Sequence, residues 1–318
     1  MIIAFVGPTA SGKSDLALDV IEALAELRQV KAPQLAQVVG ADAMQLYRGM
    51  DVGTAKLSLR ERRGITHRQI DVLDLAQEAS VAAYQRHARA DVAAIRAEGA
   101  LPVVVGGSGL YIRALLDELD FPGTDPAVRA RLEAEADVLG PRGLHRRLAE
   151  ADPVAAAQIE PANVRRVVRA LEVIELTGRP FSAALPAHTY HHEPTYQFQI
   201  DVPRAELDHR IERRTDAMFA AGLVEETREL MRQGLASAPT ASRATGYAQA
   251  MEVIAGRMTQ REAIDAVALA TRQLARKQLK WFRRDPRIQL LPWEGGVDPM
   301  ACARQLDALL KQAAGAGQ

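Results

Sequence analysis

Gly7-Pro8-Thr9-Ala10-Ser11-Gly12-Lys13-Ser14 fits the G-x-x-x-x-G-K-[ST] pattern in full, and the chemistry of that pattern is the binding of a phosphate chain. Backbone N–H groups of such a loop and of the helix behind it converge on an anion. The helix dipole adds to the attraction, and Lys13 supplies a full positive charge. Ser14 can place its hydroxyl on Mg²⁺, so all eight residues are candidates for diphosphate or nucleotide binding, and Ser14 for the metal. A second chemical group is Asp42, in Gly40-Ala41-Asp42-Ala43-Met44-Gln45. At the carboxyl end of a parallel strand it would face the crevice where open α/β sheets hold ligands. A carboxylate there can take a proton from a nucleophile, coordinate a metal or cap the following segment, and the residues alone leave the three readings open. Hydrolases with a phosphate loop usually carry a magnesium-holding acid at the end of another apolar strand. Residues 101–105 run instead into Gly106-Gly107-Ser108-Gly109 with no acid. This disfavours nucleotide-driven motor chemistry and favours a transferase that uses phosphate as a handle or leaving group.

The elements that must position these groups read as strands alternating with helices. Residues 1–6 form an apolar β-type run before the loop, and Leu16, Ala17, Val20, Ile21 and Leu24 follow it at helical spacing. Further strand-like runs lie at 36–40, around 70–73 and at 101–105, with an amphipathic helix at 81–98. The expected fold class is therefore α/β, a P-loop-type parallel sheet flanked by helices, with residues 1–119 as the first part of the core. From 120 to 195 the chain turns to Arg- and Ala-rich helical segments broken by Pro122, Pro126, Pro141, Pro153, Pro161, Pro180, Pro186 and Pro194, which reads as a helical insertion domain. Phe198, Ile200 and Val202 alternate with polar residues, so a strand rejoins the sheet before Pro203 opens a long helix. Helices continue through Arg284, residues 287–291 form a last short strand, and residues 313–318 are a frayed tail. Residues 196–318 thus complete the core with a return strand and additional C-terminal helices.

The 318 residues suit about two domains. Forty Lys and Arg against forty Asp and Glu give a net charge of zero, which excludes indiscriminate polyanion binding but hides a local patch. Residues 241–290 hold ten Arg or Lys and four acids. Within them Gln273, Lys277, Lys280 and Arg284 share a helical face, beside Trp281 and Phe282. Arg165, Arg166 and Arg169 form a second basic cluster. Cys302 is the single cysteine, so no internal disulfide is possible and a reducing compartment is expected. No apolar run reaches the ~18 residues of a membrane span, and six residues before the loop leave no room for a targeting peptide. The expectation is a cytoplasmic, monomeric enzyme.

Several separated segments resemble one family, the tRNA dimethylallyltransferases, also called tRNA isopentenyltransferases. They are the phosphate loop, the stretch from Asp42 to Lys56, Val105-Gly106-Gly107-Ser108-Gly109-Leu110-Tyr111, Arg165-Arg166-Val167-Val168-Arg169, Gly246-Tyr247, and the run from Thr271 to Arg283. The resemblance implies transfer of a dimethylallyl group from dimethylallyl diphosphate to N6 of the adenosine 3′-adjacent to the anticodon (A37), with Mg²⁺ as cofactor and the tRNA anticodon stem-loop as partner. It makes Asp42 the base, puts Ser108 where the family has a threonine near the reacting groups, and puts Arg214 against the diphosphate. The charged helix alone also allows Arg210 and Arg214, four residues apart, to be a solvated face. The resemblance places tRNA against Asp42, Ala43, Met44 and Gln45, against Arg165, Arg166, Val167, Val168 and Arg169, and against Arg243, Gly246, Tyr247, Arg272, Gln273, Arg276 and Lys277. Departures are Ala43 for serine, Ser14 for threonine, a less basic segment at 243–248, and Thr66-His67 for a His pair, with His67 either structural or catalytic. The alternatives are a P-loop kinase, an isopentenyltransferase acting on free adenine nucleotides, and a non-catalytic RNA-binding protein that uses the loop as a nucleotide switch.

Overall fold

The fully buried run Ile2–Val6 is strand β1, and in this computed structural model, which describes residues 1–119, 121–181 and 188–315, it lies inside a parallel six-stranded sheet. The other strands are β2 (Ala36–Gly40), β3 (His67–Arg68), β4 (Leu101–Gly106), β5 (Thr195–Asp201) and β6 (Ile288–Pro292), in the order β3-β2-β4-β1-β5-β6. Helix α1 (Lys13–Arg28) follows the phosphate loop, and a short α2 (Ala32–Leu35) leads into β2. Ile3, Phe5, Val103, Val105 and Phe198 pack with Leu16, Val20 and Leu24 of α1 on one side of the sheet. Helices α3 (Val81–Ala97) and α4 (Gly109–Leu116) complete the first half of the core. Tyr84 of α3 donates its hydroxyl to the Gly40 carbonyl at 2.9 Å, which ties that helix to the end of β2 just before Asp42.

The expected strands at 36–40 and 101–105 are present, but the one around 70–73 is not. His67 and Arg68 pair with β2 instead, and Leu73 makes only an isolated bridge to Tyr47. Gln69 and Asp71 sit at φ of 58° and 57°, which no extended strand tolerates.

By internal contacts the chain divides into two compact units, one of Met1–Leu116 with Tyr190–Gln318 and one of Asp117–Thr189. The second unit holds α5 (Pro126–Ala151), α6 (Pro153–Gln158) and α7 (Val164–Thr177). Gly140, at φ 68°, and Pro141 kink α5, because proline lacks the N–H that the helix ladder needs. Its core is Leu132, Leu144, Leu148, Val167, Val168 and Leu171. The remainder of the first unit is α8 (Arg204–Ala220), which Pro203 opens, α9 (Leu223–Arg232), α10 (Tyr247–Ile254), α11 (Gln260–Phe282) and α12 (Pro299–Gly315). Helix α11 ends at Phe282, so Arg284 lies beyond it, and α12 carries helix into the tail expected to fray. Asp120, Pro186 and residues 316–318 lie outside the described residues.

The glycines that end β4 and open α4 leave no room for a side chain. A methyl on Gly106 would lie 2.2 Å from the Ala41 carbonyl oxygen, and one on Gly109 would lie 2.2 Å from the Trp281 ring. Overpacking a core typically costs about 1–3 kcal/mol, and here the obstacle is backbone that cannot rotate away. Gly106→Ala is therefore expected to lower unfolding stability by about 3 kcal/mol or more, read as a lower urea midpoint at unchanged slope.

Candidate active site

The phosphate loop closes over the carboxyl end of β1, where Gly7 at φ 139° and Gly12 at φ 85° take conformations that favour glycine. Lys13 opens α1 and rests its ammonium on the Pro8 carbonyl at 3.2 Å. Burial pushes Lys13 down to a pKa of about 8, opposed by Asp42, aided by Arg214 and opposed weakly by Asp15. Only the ammonium attracts an anion, so affinity for inorganic diphosphate should be full below about pH 8 and fall as pH rises through it. Titration calorimetry on either side of that pH tests this, with Lys13→Ala as the background that corrects for ionisation of the diphosphate itself.

Asp42 follows β2 as expected and does two things at once. Its Oδ1 accepts the Met44 N–H at 3.0 Å and closes a local turn, while the carboxylate lines two adjoining cavities. Ser108 stands beside this acid: its Oγ accepts the Ala43 N–H at 3.2 Å, pinning the backbone next to Asp42, and its side chain is half-buried.

Arg210 and Arg214 do not form a solvated face. Arg210 donates to the Ser11 carbonyl at 3.3 Å, pairs with Glu206 at 2.8 Å and stacks 4.3 Å over the Trp293 ring. Arg214 donates to Thr9 Oγ1 and to the Thr54 carbonyl, both at 3.3 Å. Burial pushes its guanidinium down from the ordinary value, with Asp42 and Asp15 opposing.

Three cavities meet at these groups. One, enclosing about 640 Å³ with its mouth included, has Lys13, Ser14, Asp42 and Arg214 on its polar side and Leu18, Val38, Leu57, Ile70 and Val105 on its apolar side. His67 is in the same wall, donating Nδ1–H to the Ile65 carbonyl at 2.9 Å, and burial lowers its pKa while that hydrogen bond opposes the shift. The second is lined by Lys13, Ser14, Arg210, Arg213 and Arg214. The third, walled by Met44, Ile211, Met218, Val267, Thr271 and Leu274, also reaches Thr9, Asp42 and Arg214. Arg214 borders all three.

The residues expected to contact tRNA divide. Arg165 and Arg166 are exposed on α7, whereas the side chains of Val167 and Val168 are buried in the core of their own unit. Arg169 is also turned inward, bound to buried Glu172 at 2.8 Å and to the Pro122 and Gly123 carbonyls. Tyr247 is fully buried: it donates to Glu226 at 2.5 Å and accepts the Gly53 N–H at 3.2 Å, while Gly246 is buried as the cap of α10. Tyr247 holds the 51–54 turn through Gly53, and neither residue reaches a surface. Arg243, Gln273, Arg276 and Lys277 are exposed, and Arg272 pairs with Glu212 at 2.8 Å. Of the helical face read from the sequence, Gln273, Lys277 and Lys280 point outward, whereas Phe282 is core.

A model of the family described as IPP transferase matches residues 45–285. The tRNA dimethylallyltransferase of Kineococcus radiotolerans is 56% identical over 315 residues, covering 99% of this chain and 98% of the relative. The chain belongs to the IPP transferase family. The tRNA dimethylallyltransferase of Thermobifida fusca is also 56% identical, over 92% of this chain and 90% of its own length. Among solved structures, a full-length tRNA isopentenylpyrophosphate transferase from Bacillus halodurans superposes with a TM-score of 0.68 at 33% identity, covering 99% of this chain and 98% of that one. A eukaryotic dimethylallyltransferase acting on tRNA gives a TM-score of 0.76 over 92% of this chain and 73% of that one at 23% identity, which speaks for the fold alone. As an IPP transferase the protein is a prenyltransferase and not a P-loop kinase.

The sequence reading missed the apolar cavity wall, Thr54, Glu226 and Gln278. Thr54 and Gln278 lie in segments already singled out, whereas Glu226 does not. The roles of Glu226 and Gln278 carry no local signal, because their partners lie far away in the chain: Val52 for Glu226 and Thr9, 269 residues distant, for Gln278.

Proposed function

We propose that this chain transfers the dimethylallyl group of dimethylallyl diphosphate to N6 of the adenosine 3′-adjacent to the anticodon (A37) in tRNA, releasing diphosphate. The observation that carries the reading is the meeting of a cationic cavity and a largely uncharged one at Arg214, with Asp42 in the wall of the uncharged one. A diphosphate can lie in the first and an adenine in the second, with the reacting carbon between them.

In this reading the loop amides, Lys13 and Arg214 hold the diphosphate and stabilise charge as the allylic C–O bond breaks. The apolar wall of Leu18, Val38, Ile70 and Val105 takes the prenyl tail and excludes water from the allylic carbon. N6 forms the new C–N bond, and its proton passes to the Asp42 carboxylate, whose Oδ1 is already held by Met44 and whose Oδ2 has no hydrogen-bond partner among the described residues. Ser14 fits Mg²⁺, because its hydroxyl borders the cationic cavity and has no partner among the described residues. Magnesium usually keeps water and substrate phosphate oxygens around one or two protein ligands. When bound it neutralises part of the leaving group's charge.

Taking the base out of the anticodon loop costs a few kcal/mol, less than from a duplex. The exposed Arg243, Arg276 and Lys277 suit the flanking phosphates, as do Arg165 and Arg166 on the helical unit. Affinity for tRNA should therefore fall linearly with log salt, and Arg276→Ala combined with Lys277→Ala should make the slope shallower by about 1–2, measured by filter binding over a salt series. Among the described residues no helix is long and apolar enough to cross a membrane.

The test is incubation with dimethylallyl diphosphate and either tRNA or AMP, followed by mass spectrometry of the nucleosides. Dimethylallyladenosine is expected from tRNA only. Product from AMP and none from tRNA would move the reading to a free-nucleotide isopentenyltransferase.

A further inference from the structure

Helix α11 reaches the phosphate loop through one side chain that no chemical step above uses. Gln278 Oε1 accepts the Thr9 N–H at 2.9 Å, and its Nε2 donates to the Gly107 carbonyl at 2.9 Å. One partner is a donor and the other an acceptor, so only one orientation of the amide satisfies both. The fit is close, because a methyl on Gly107 would stand 2.7 Å from Nε2.

Each partner leads to one half of the reaction. Thr9 Oγ1 receives the Arg214 guanidinium at 3.3 Å, on the side of the leaving group. Gly107 precedes Ser108, whose Oγ accepts the Ala43 N–H at 3.2 Å beside Asp42, on the side of the base. Gln278 itself is absent from the walls of all three cavities.

We propose that Gln278 is a positioning residue that sets the spacing between the diphosphate-holding side and the Asp42 side of the site, by clamping the phosphate loop to the turn after β4. The proposal rests on the prenyl-transfer reading above. Attack of N6 on the allylic carbon needs both groups in line, and a displacement of about 1 Å can slow such a step by about 10²-fold.

Two variants test it. Gln278→Leu keeps the volume and loses both hydrogen bonds. Gln278→Glu keeps the acceptor for Thr9 and sets a second carboxylate oxygen against the Gly107 carbonyl. For Gln278→Leu, kcat for prenyl transfer to tRNA is expected to fall by about tenfold to a hundredfold, with KM for tRNA within about twofold of the wild type, the signature of an interaction that matters at the transition state. For Gln278→Glu, the deficit relative to wild type should shrink as pH is lowered, since a protonated carboxyl regains a donor for Gly107. A residue that served only the fold would lower the melting midpoint without splitting kcat from KM and without that pH signature. The proposal is overturned if both variants turn over within about twofold of wild type, if the loss lies in KM for tRNA, or if it follows the folded fraction. Absence of product from the wild-type protein would instead count against the prenyl-transfer reading.

Discussion

Asp42→Asn is expected to lower kcat for prenyl transfer by about 10²–10⁴-fold, the range over which a positioned base contributes, while tRNA affinity stays unchanged. Asparagine has the same shape and still offers an oxygen to the Met44 N–H that Asp42 now receives at 3.0 Å, so the turn survives and only the proton acceptor is lost. An adenine amine is a weak nucleophile, its lone pair delocalised into the ring, and it depends on removal of its proton as the C–N bond forms. Single-turnover transfer measured beside filter binding separates the two effects. Near-normal turnover would leave Asp42 with the turn alone.

Arg214→Ala is the second large effect. Among the described residues it is the one side chain that borders all three cavities, and its two terminal nitrogens hold different segments, Thr9 and Thr54. Removing a preorganised donor aimed at developing charge typically lowers kcat by about 10²–10³-fold, and that loss is expected here together with weaker binding of inorganic diphosphate. Arg214→Lys should recover little, because a single ammonium cannot span both partners. The alanine variant also carries a check on its own cause. Arg214 depresses the Lys13 ammonium, so without it the alkaline fall in diphosphate affinity should move upward from about pH 8. Unchanged kcat in Arg214→Ala would return the residue to a purely structural role in packing α8 onto the loop.

Much of the core was legible because its signals are local. The runs at 36–40 and 101–105 are buried β-type residues between punctuating turns, and the phosphate loop carries its glycines at the backbone positions that need them. The short edge strand was misplaced because Ile70 and Leu73 look extended by composition, whereas the positive φ at Gln69 and Asp71 is set by the turn they make: Lys56 bonds to Asp71 at 2.5 Å while also holding the Tyr47 carbonyl. The basic segments were legible as charge and not as surface. Arg165 and Arg166 face out, and Arg169, three residues further along α7, turns to buried Glu172.

What the sequence by itself determined is a parallel α/β core with a phosphate-binding loop after its first strand, an acid after its second and no acid after the strand that ends at Gly106. It also determined the family, through motifs spread along nearly the whole chain. Tertiary structure alone decided which groups share a site. It chose Arg214 over its neighbours to join the three cavities, turned Tyr247 inward to hold Gly53, bonded Ser108 to the backbone next to Asp42 and set Gln278 between Thr9 and Gly107. The physical reason is one of range. Periodicity and turn chemistry act over a few residues, whereas the partners of Thr9 lie 205 and 269 residues away, brought to it only when the strands take their order in the sheet.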